Sequence, residues 1–362
     1  MRFCRFVDKR HLRTAILALA LGCSDPVRPD TTAFSGEWLS LGLRDRAVRR
    51  LAIVGSQLYA GTDNGIYRAS LGSSAPEWIA LGPASRAIEA LLVLSPDTIL
   101  TAVALTGTGS DTVALFRTTD GGQAWRPYQN GFGGETEAKR VLAMAEVTGE
   151  SSALLATGYA AVVAKSDDTG SDWRVVWGGW QLGAAGTHFI VLDSGRLGSV
   201  WAGGEDGYFQ PFLLHSEDFG ETWHEIRINV TGDNAHYSLA IDPLNSGVVF
   251  TGMEGRVVKS ADGGQTWESV LQPNDYPYFY GLGSSRAHHR RVYAAGARQG
   301  LATDLRELRL YVTNDAGASW QSSAADSVRA GVRGLLVWSP PASVERVLLA
   351  TGQGIWQFTP AQ

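Results

Sequence analysis

Residues 260–267 read Ser-Ala-Asp-Gly-Gly-Gln-Thr-Trp, and their frame recurs five times between Thr118 and Trp320. The frame is a hydroxyl residue, then Asp two on, Gly four on and Trp seven on. The copies are Thr118/Asp120/Gly122/Trp125, Ser166/Asp168/Gly170/Trp173, Ser216/Asp218/Gly220/Trp223, Ser260/Asp262/Gly264/Trp267 and Thr313/Asp315/Gly317/Trp320. Ser, Thr and Asp side chains accept backbone N–H bonds inside tight turns, and Gly tolerates positive φ. Trp then brings a large apolar face to the start of the next strand. The frame predicts a turn between two strands, not a catalytic box.

Successive Asp residues of the frame are 48, 50, 44 and 53 residues apart, a period that signals a propeller or solenoid. Extended backwards, the period finds Trp78, 47 residues before Trp125, in a segment that keeps Ser70 and has lost the Asp. Extended forwards, LLATGQGIWQF (348–358) copies QLYAGTDNGIYRA (57–69) and lacks an outermost strand, which GEWLSLGL (36–43) around Trp38 supplies. Seven tryptophans then mark seven units, one shared between the chain ends. Pairing the ends removes the free edges that open sheets expose. The predicted fold is all-β: one seven-bladed β-propeller of four-stranded antiparallel blades over 37–362, closed by the N-terminal strand. The short apolar runs RRLAIV (49–54), EALLVL (89–94) and RVLAMAEV (140–147) fit either strand or buried helix alone, and their recurrence at unit starts decides for inner strands.

Three copies, TTDGGQAW, SADGGQTW and SEDFGETW, are similar to the Asp-box, or BNR repeat, of sialidases, xyloglucan-active glycosidases, sortilin-type receptors and the photosystem II stability/assembly factor. Over 37–362 the chain most resembles the assembly-factor-like group. That resemblance implies a non-catalytic scaffold holding a partner protein, with Asp120, Asp168, Asp218, Asp262 and Asp315 in structural turns facing away from the ligand. A sialidase is disfavoured, since those enzymes are six-bladed and carry an Arg-Ile-Pro signature where this chain has RAVRRLAIV (46–54). Xyloglucan-active relatives divide their catalytic acids between two propellers, and this chain has one.

Residues 1–13 carry Arg2, Arg5, Lys9, Arg10 and Arg13 against Asp8, and TAILALALG (14–22) then leads to Cys23. A charged segment, a short apolar run and a small-residue cleavage site make 1–22 a signal peptide. Leu19-Ala20-Leu21-Gly22-Cys23 resembles a bacterial lipobox, with Ala20 where Leu is usual. Only Cys4 and Cys23 are present, so Cys23 has no disulfide partner after cleavage and reads as a lipidation site. Polar, Pro-containing residues 23–36 read as a flexible tether. The expected location is the bacterial cell envelope, lipid-anchored at the outer membrane or in the periplasm. Removing 1–22 takes the formal charge from −5 to about −9, and such an acidic chain without a basic stripe is a poor nucleic-acid partner.

In a propeller the inner-strand starts and the loops after the second strands line one mouth. Counting two positions before the central apolar residue of each inner strand, a Leu except for Met144 and Ile190, gives Arg49, Glu89, Leu142, His188, Tyr237, Tyr280 and Arg333. The loops add Asp63, Tyr159, Glu205, Asp206, Glu254, Arg298 and Gln353. This mixed ring suits a protein or glycan ligand. It also leaves an alternative, an exo-acting glycoside hydrolase drawing on Glu205, Glu254 and Asp63, because glycoside cleavage needs two carboxyl groups at a fixed separation. No zinc, phosphate-loop or nucleophile-elbow motif is present, so no metal or cofactor is expected.

Overall fold

The computed structural model describes residues 33–105, 114–128, 140–149, 152–159, 162–178, 186–208, 210–228, 230, 235–298, 306–340 and 343–361. The signal peptide, Cys23 and most of the tether lie outside the described residues. Among these, 28 strands form seven four-stranded antiparallel sheets. Blades one to six follow in chain order, opened by inner strands Val48–Val54, Ile88–Val93, Val141–Thr148, Gly186–Leu192, Ser238–Asp242 and Tyr278–Ser284. Blade seven runs inward to outward as Val332–Trp338, Arg346–Thr351, Gly354–Pro360 and then Gly36–Gly42.

The predicted closure therefore holds. Trp38 lies opposite Phe358 in the antiparallel register, their ring centroids 5.1 Å apart. Its indole N–H donates to Ser323 Oγ of blade six at 3.1 Å. One strand thus ties the front of the chain to blade seven and to the neighbouring blade.

The core sits between blades rather than within one. Second strands such as Ile99–Val103 and Val292–Ala297 are buried along their whole length, because blades cover both of their faces. Outer strands such as His224–Ile226 are largely exposed. Apolar clusters cross the blade boundaries: Leu41 and Leu348 of blade seven pack with Leu58 and Ala60 of blade one. Phe250 and Val270 of blade five pack with Val292 and Trp320 of blade six. Stability accumulates from such neighbour contacts, as in other repeat proteins.

All five repeated frames form the same turn. Ser260 Oγ donates to Asp262 Oδ1 at 2.7 Å and accepts the Gly264 N–H at 2.8 Å, while Asp262 Oδ1 accepts the Thr266 N–H at 2.9 Å. Thr118, Ser166, Ser216 and Thr313 make the equivalent pair of bonds to Asp and from Gly. The glycine has a second duty. Gly220 has φ +80°, and a Cβ there would stand 2.7 Å from Leu155 of blade three. The bare Cα is what lets the turn seat on the preceding blade.

Hydrogen bonds from the Thr266 hydroxyl and N–H, then from Ser260, hold the Asp262 carboxyl down to about 2. Its folded value lies below its unfolded one, so the stability it contributes is complete above pH ~4 and is lost as pH falls through about 2. Thermal melts between pH 6 and 2 should show a falling midpoint, with a shallower acid limb for Asp262→Asn; parallel limbs would reject this account. Trp38→Ala should cost about 3 kcal/mol in denaturant unfolding, from lost ring packing and an unpaired Ser323. A cost below ~1 kcal/mol would mean that the borrowed strand does not lock the ring.

Candidate functional site

Backbone pairing explains why the axial residues point where they do. At the start of six inner strands the ladder with the second strand skips, and the skipped residue is left out of the pairing. The skips fall at Arg49, Glu89, Leu142, His188 and Arg333, and in blade six between Tyr278 and Gly281, a gap that contains Tyr280. Such bulges bend the strand and re-aim a side chain. Blade five differs, because its ladder begins at Ser238 and Tyr237 precedes it, its N–H donating to Gly252 O at 2.9 Å.

All seven residues line one cavity of about 600 Å³ on the ring axis. Beneath the polar ring the wall is apolar, with Leu51, Ile190, Leu239, Leu282 and Leu335. The polar residues are sorted by kind around the circle. Blades seven and one contribute Arg333, Arg49 and also Arg50. Blades four, five and six contribute His188, Tyr237 and Tyr280.

On the cationic arc, the Arg50 guanidinium donates to Arg49 O at 3.0 Å and reaches across to Leu142 O at 3.1 Å. Burial, opposed by the charge of Glu89 and reinforced by Arg49 and Arg333, lowers Arg50 to about 10. It stays charged at neutral pH. Glu89 is held by Arg140 at 3.1 Å, and Arg140 in turn lies over the Tyr159 ring at 4.2 Å. Arg333 sits 5.7 Å from the Tyr280 ring centroid, where the two arcs meet.

The aromatic arc is a continuous cluster. Tyr237 lies 4.8 Å from Tyr280, 5.6 Å from Tyr278 in a near-parallel stack, and 5.7 Å from His188. Tyr237 donates its hydroxyl to Glu254 at 3.2 Å, and Tyr278 also bonds Glu254. Glu205 stands 3.6 Å from His188 Nε2. Glu205 and Glu254 therefore belong to the rim and are engaged by neighbours. Asp63 and Arg298 are exposed at the ends of their second strands. The residues lining the cavity include none of Asp63, Glu205, Glu254 or Arg298. Asp206 is turned into its own loop, accepting the N–H groups of Tyr208 and Gln210. Among the described residues no group of three or more His, Cys, Asp or Glu is arranged to hold a metal ion.

Sequence reasoning passed over Arg50, Arg140, Tyr276 and Tyr278. The signal for the tyrosines was the alternation Tyr276-Pro277-Tyr278-Phe279-Tyr280, which in an extended segment puts three rings on one side. Burial first, then the charge and hydrogen bond of Glu254, push Tyr278 up to about 12. Tyr280 is also raised, by burial first and by Glu254 and Glu205 against Arg333. Absorbance titration should find a tyrosine ionising near pH 12, and Glu254→Gln should move that transition towards the ordinary value of about 10. An unchanged titration curve in the variant would remove Glu254 from the cluster.

No protein-family model matches the sequence, and no curated protein matches it. Solved structures do share the fold. One described as YCF48 bound to D1 peptide superposes with a TM-score of 0.63 at 14% identity, over 93% of this chain and 98% of that one. YCF48 from Cyanidioschyzon merolae gives a TM-score of 0.61 at 10% identity, over 89% and 98%. The GH74 enzyme of Niastella koreensis gives 0.63 at 17% identity, over 90% of this chain and 53% of that enzyme. At these identities the likeness establishes a seven-bladed propeller shared by non-catalytic proteins and glycoside hydrolases.

Proposed function

We propose that the protein is a non-catalytic binding or assembly scaffold of the bacterial cell envelope, lipid-anchored through Cys23, whose propeller mouth holds a segment of a partner protein. The observation that carries this reading is the mouth's division into a cationic arc and an aromatic, carboxylate-bearing arc around one cavity. Anionic groups of a ligand find Arg49 and Arg333, while apolar and cationic groups find the tyrosines. A structural neighbour of nearly the same length carries a peptide, which lends the same reading support. The lipobox-like segment and the unpaired Cys23 support the anchor.

A hydrolase would need two carboxyl groups across a common pocket, one of them protonated at working pH. The carboxylate on the cavity wall is Glu89, and it is taken up in an ion pair with Arg140 at 3.1 Å. Glu205 and Glu254 face a histidine and a tyrosine pair at the rim. This disposition favours binding over cleavage.

The test places a photo-crosslinking amino acid at Arg333 and, as control, at Gln123 on the opposite face, in cells that make the full chain. One envelope protein should be trapped from the mouth position through a mappable segment, and trapping should fall at least 10-fold when Arg49→Ala is added. Equal trapping from both faces overturns the reading. So does glycoside turnover that either Glu205→Gln or Glu254→Gln abolishes. Mass spectrometry of the membrane-extracted N-terminus should find a diacylated Cys23; any other start ends the anchor.

A further inference from the structure

Opposite the mouth, the ring presents the turns that join inner to second strands and, further out, the Asp-Gly-Trp turns. This face is not uniform. Blades two to six each set one frame aspartate near its outer edge, and exposed Asp167, Glu217 and Glu221 add to blades three and four, where Arg174 and Arg196 pair with them. Blade seven has no such turn, because its outermost strand comes from the front of the chain.

Blade six reverses the sign. Its inner turn, 285–291, carries Arg286, His288, His289, Arg290 and Arg291, the first four of them exposed. Arg291 lies 3.6 Å from Glu345 and His289 lies 3.9 Å from Asp242, which leaves Arg286 and Arg290 as the outward charges. Arg290 donates to the backbone oxygen of Asp315, and no side-chain bond or ion pair engages Arg286 among the described residues. The carboxylates facing this turn are taken: Glu345 accepts from Tyr293, Ser285 and Ser339, Asp242 accepts the Leu244 N–H, and Asp193 the Gly195 N–H. A cavity flanks the turn on each side. One, of about 480 Å³, joins Arg286 to Ser194 and Leu197 of blade four, and the other, of about 570 Å³, joins His288 and Arg291 to Ser343 and Val344 of blade seven.

Apolar side chains stand beside these charges. Leu197 and Leu244 are 78% and 77% exposed on the inner turns of blades four and five, and Val344 is exposed on blade seven. Guanidiniums beside outward aliphatic side chains suit the surface of an anionic bilayer, where the first meet phosphates and the second enter among the headgroups. The chain also reaches the ring here. Gly36 pairs with Pro360 at this end of blade seven, Ala33 bridges Ser322 of blade six, and the Phe34 ring lies 5.6 Å from the Arg291 guanidinium. Whatever precedes residue 33 therefore arrives beside the basic turn.

We propose that the blade six–seven side of this face docks on an anionic phospholipid surface, with Arg286 and Arg290 on lipid phosphates and Leu244 and Val344 at headgroup level. This rests on the Cys23 anchor reading above and adds to it which face the anchor holds down, so that the mouth points away from the bilayer. A tether keeps the ring within reach of the surface, and a few weak contacts then suffice to orient it. The same surface repels the acidic edge of blades three and four, which tilts the ring onto blades six and seven.

The test uses the protein as cells export it, on phosphatidylcholine vesicles with or without about 30% phosphatidylglycerol, both carrying a headgroup nitroxide quencher. A fluorophore is attached at Ser343→Cys on the turn face or at Gln353→Cys on the mouth face of the same blade. On anionic vesicles the Ser343 position should be quenched at least 3-fold more than the Gln353 position. That ratio should fall towards its value on neutral vesicles in about 0.5 M salt, and in Arg286→Glu and in Leu244→Asp. Both substituted side chains are exposed, and far-UV spectra check that the variants fold. Equal ratios on the two vesicle types, stronger quenching from the mouth, or a ratio that either variant leaves unchanged overturns the proposal. So does release of a co-purifying acidic protein by Arg286→Glu with quenching unchanged, which would give the turn to a protein partner. Binding to anionic but not to neutral vesicles, with the expected ratio, would sink the anchor alone. Retention on both vesicle types with equal ratios would sink the docking face alone.

Discussion

Everything in this molecule depends on one act of pairing, the seven-residue strand Gly36–Gly42 hydrogen-bonding to Gly354–Pro360. Without it, blade seven would have three strands, and the backbone groups of Gly354–Pro360 would present an open edge. With it, the aromatic contacts of Trp38 and Phe34 with Phe358, at 5.1 and 5.9 Å, bind the front of the chain to its end. Such pairs contribute roughly 0.5–1.5 kcal/mol each beyond their buried area, and this ring uses them where a slip would open the circle. The axis of the cavity exists only because the circle is complete. Arg49 follows the borrowed strand and Arg333 belongs to the blade that receives it, so the cationic arc straddles the closure.

Given a closed ring, the mouth is built by repeating one backbone irregularity. A bulge at the start of an inner strand frees one residue from the ladder and turns it towards the axis. The repeat specifies the bulge, not the side chain. Neighbouring blades therefore present arginine, glutamate, leucine, histidine and tyrosine from equivalent positions. Because the wall beneath is apolar, charges at the ring act across a poor dielectric, and burial is the main cause that lowers Arg50 to about 10.

The same logic explains which parts were legible in the sequence. The Asp-Gly-Trp frame could be read because each of its bonds closes within seven residues, as in Ser260, Asp262 and Gly264. The seven axial residues could be counted from the central apolar residue because in six blades a bulge sits at the inner-strand start, and in blade five Tyr237 stands just ahead of the ladder at the same offset; even the two-residue skip in blade six delivers Tyr280 to the cavity. The loops resisted. Asp63 follows the end of its second strand and Glu205 ends its own, yet Asp63 faces solvent while Glu205 turns to His188, since loop shape and neighbours differ between blades. Arg140 was hidden because it precedes its inner strand and acts through Glu89 of the blade before. Tyr276 was hidden because its position depends on a positive φ and on the bare backbone of Gly255, 21 residues earlier.

The two faces of the ring obey different constraints, and this bears on what the mouth can do. On one face the turn hydroxyls and aspartates spend their hydrogen bonds on their own backbone, so that face is chemically occupied. On the other, the carboxylates are engaged in a graded way. Glu89 has a full cation, Glu205 an imidazole, and Glu254 tyrosine hydroxyls. Glycoside cleavage needs two carboxyl groups across a common pocket, and the cavity lining takes in Glu89 but neither Glu205 nor Glu254. Carboxylates recognise cations, as guanidiniums recognise anions. The mouth groups Arg333, Arg49 and Arg50 on blades seven and one, with Glu89 paired to Arg140 beside them, and its aromatic rings with Glu205 and Glu254 on blades four to six, so the pattern of charge varies around the ring.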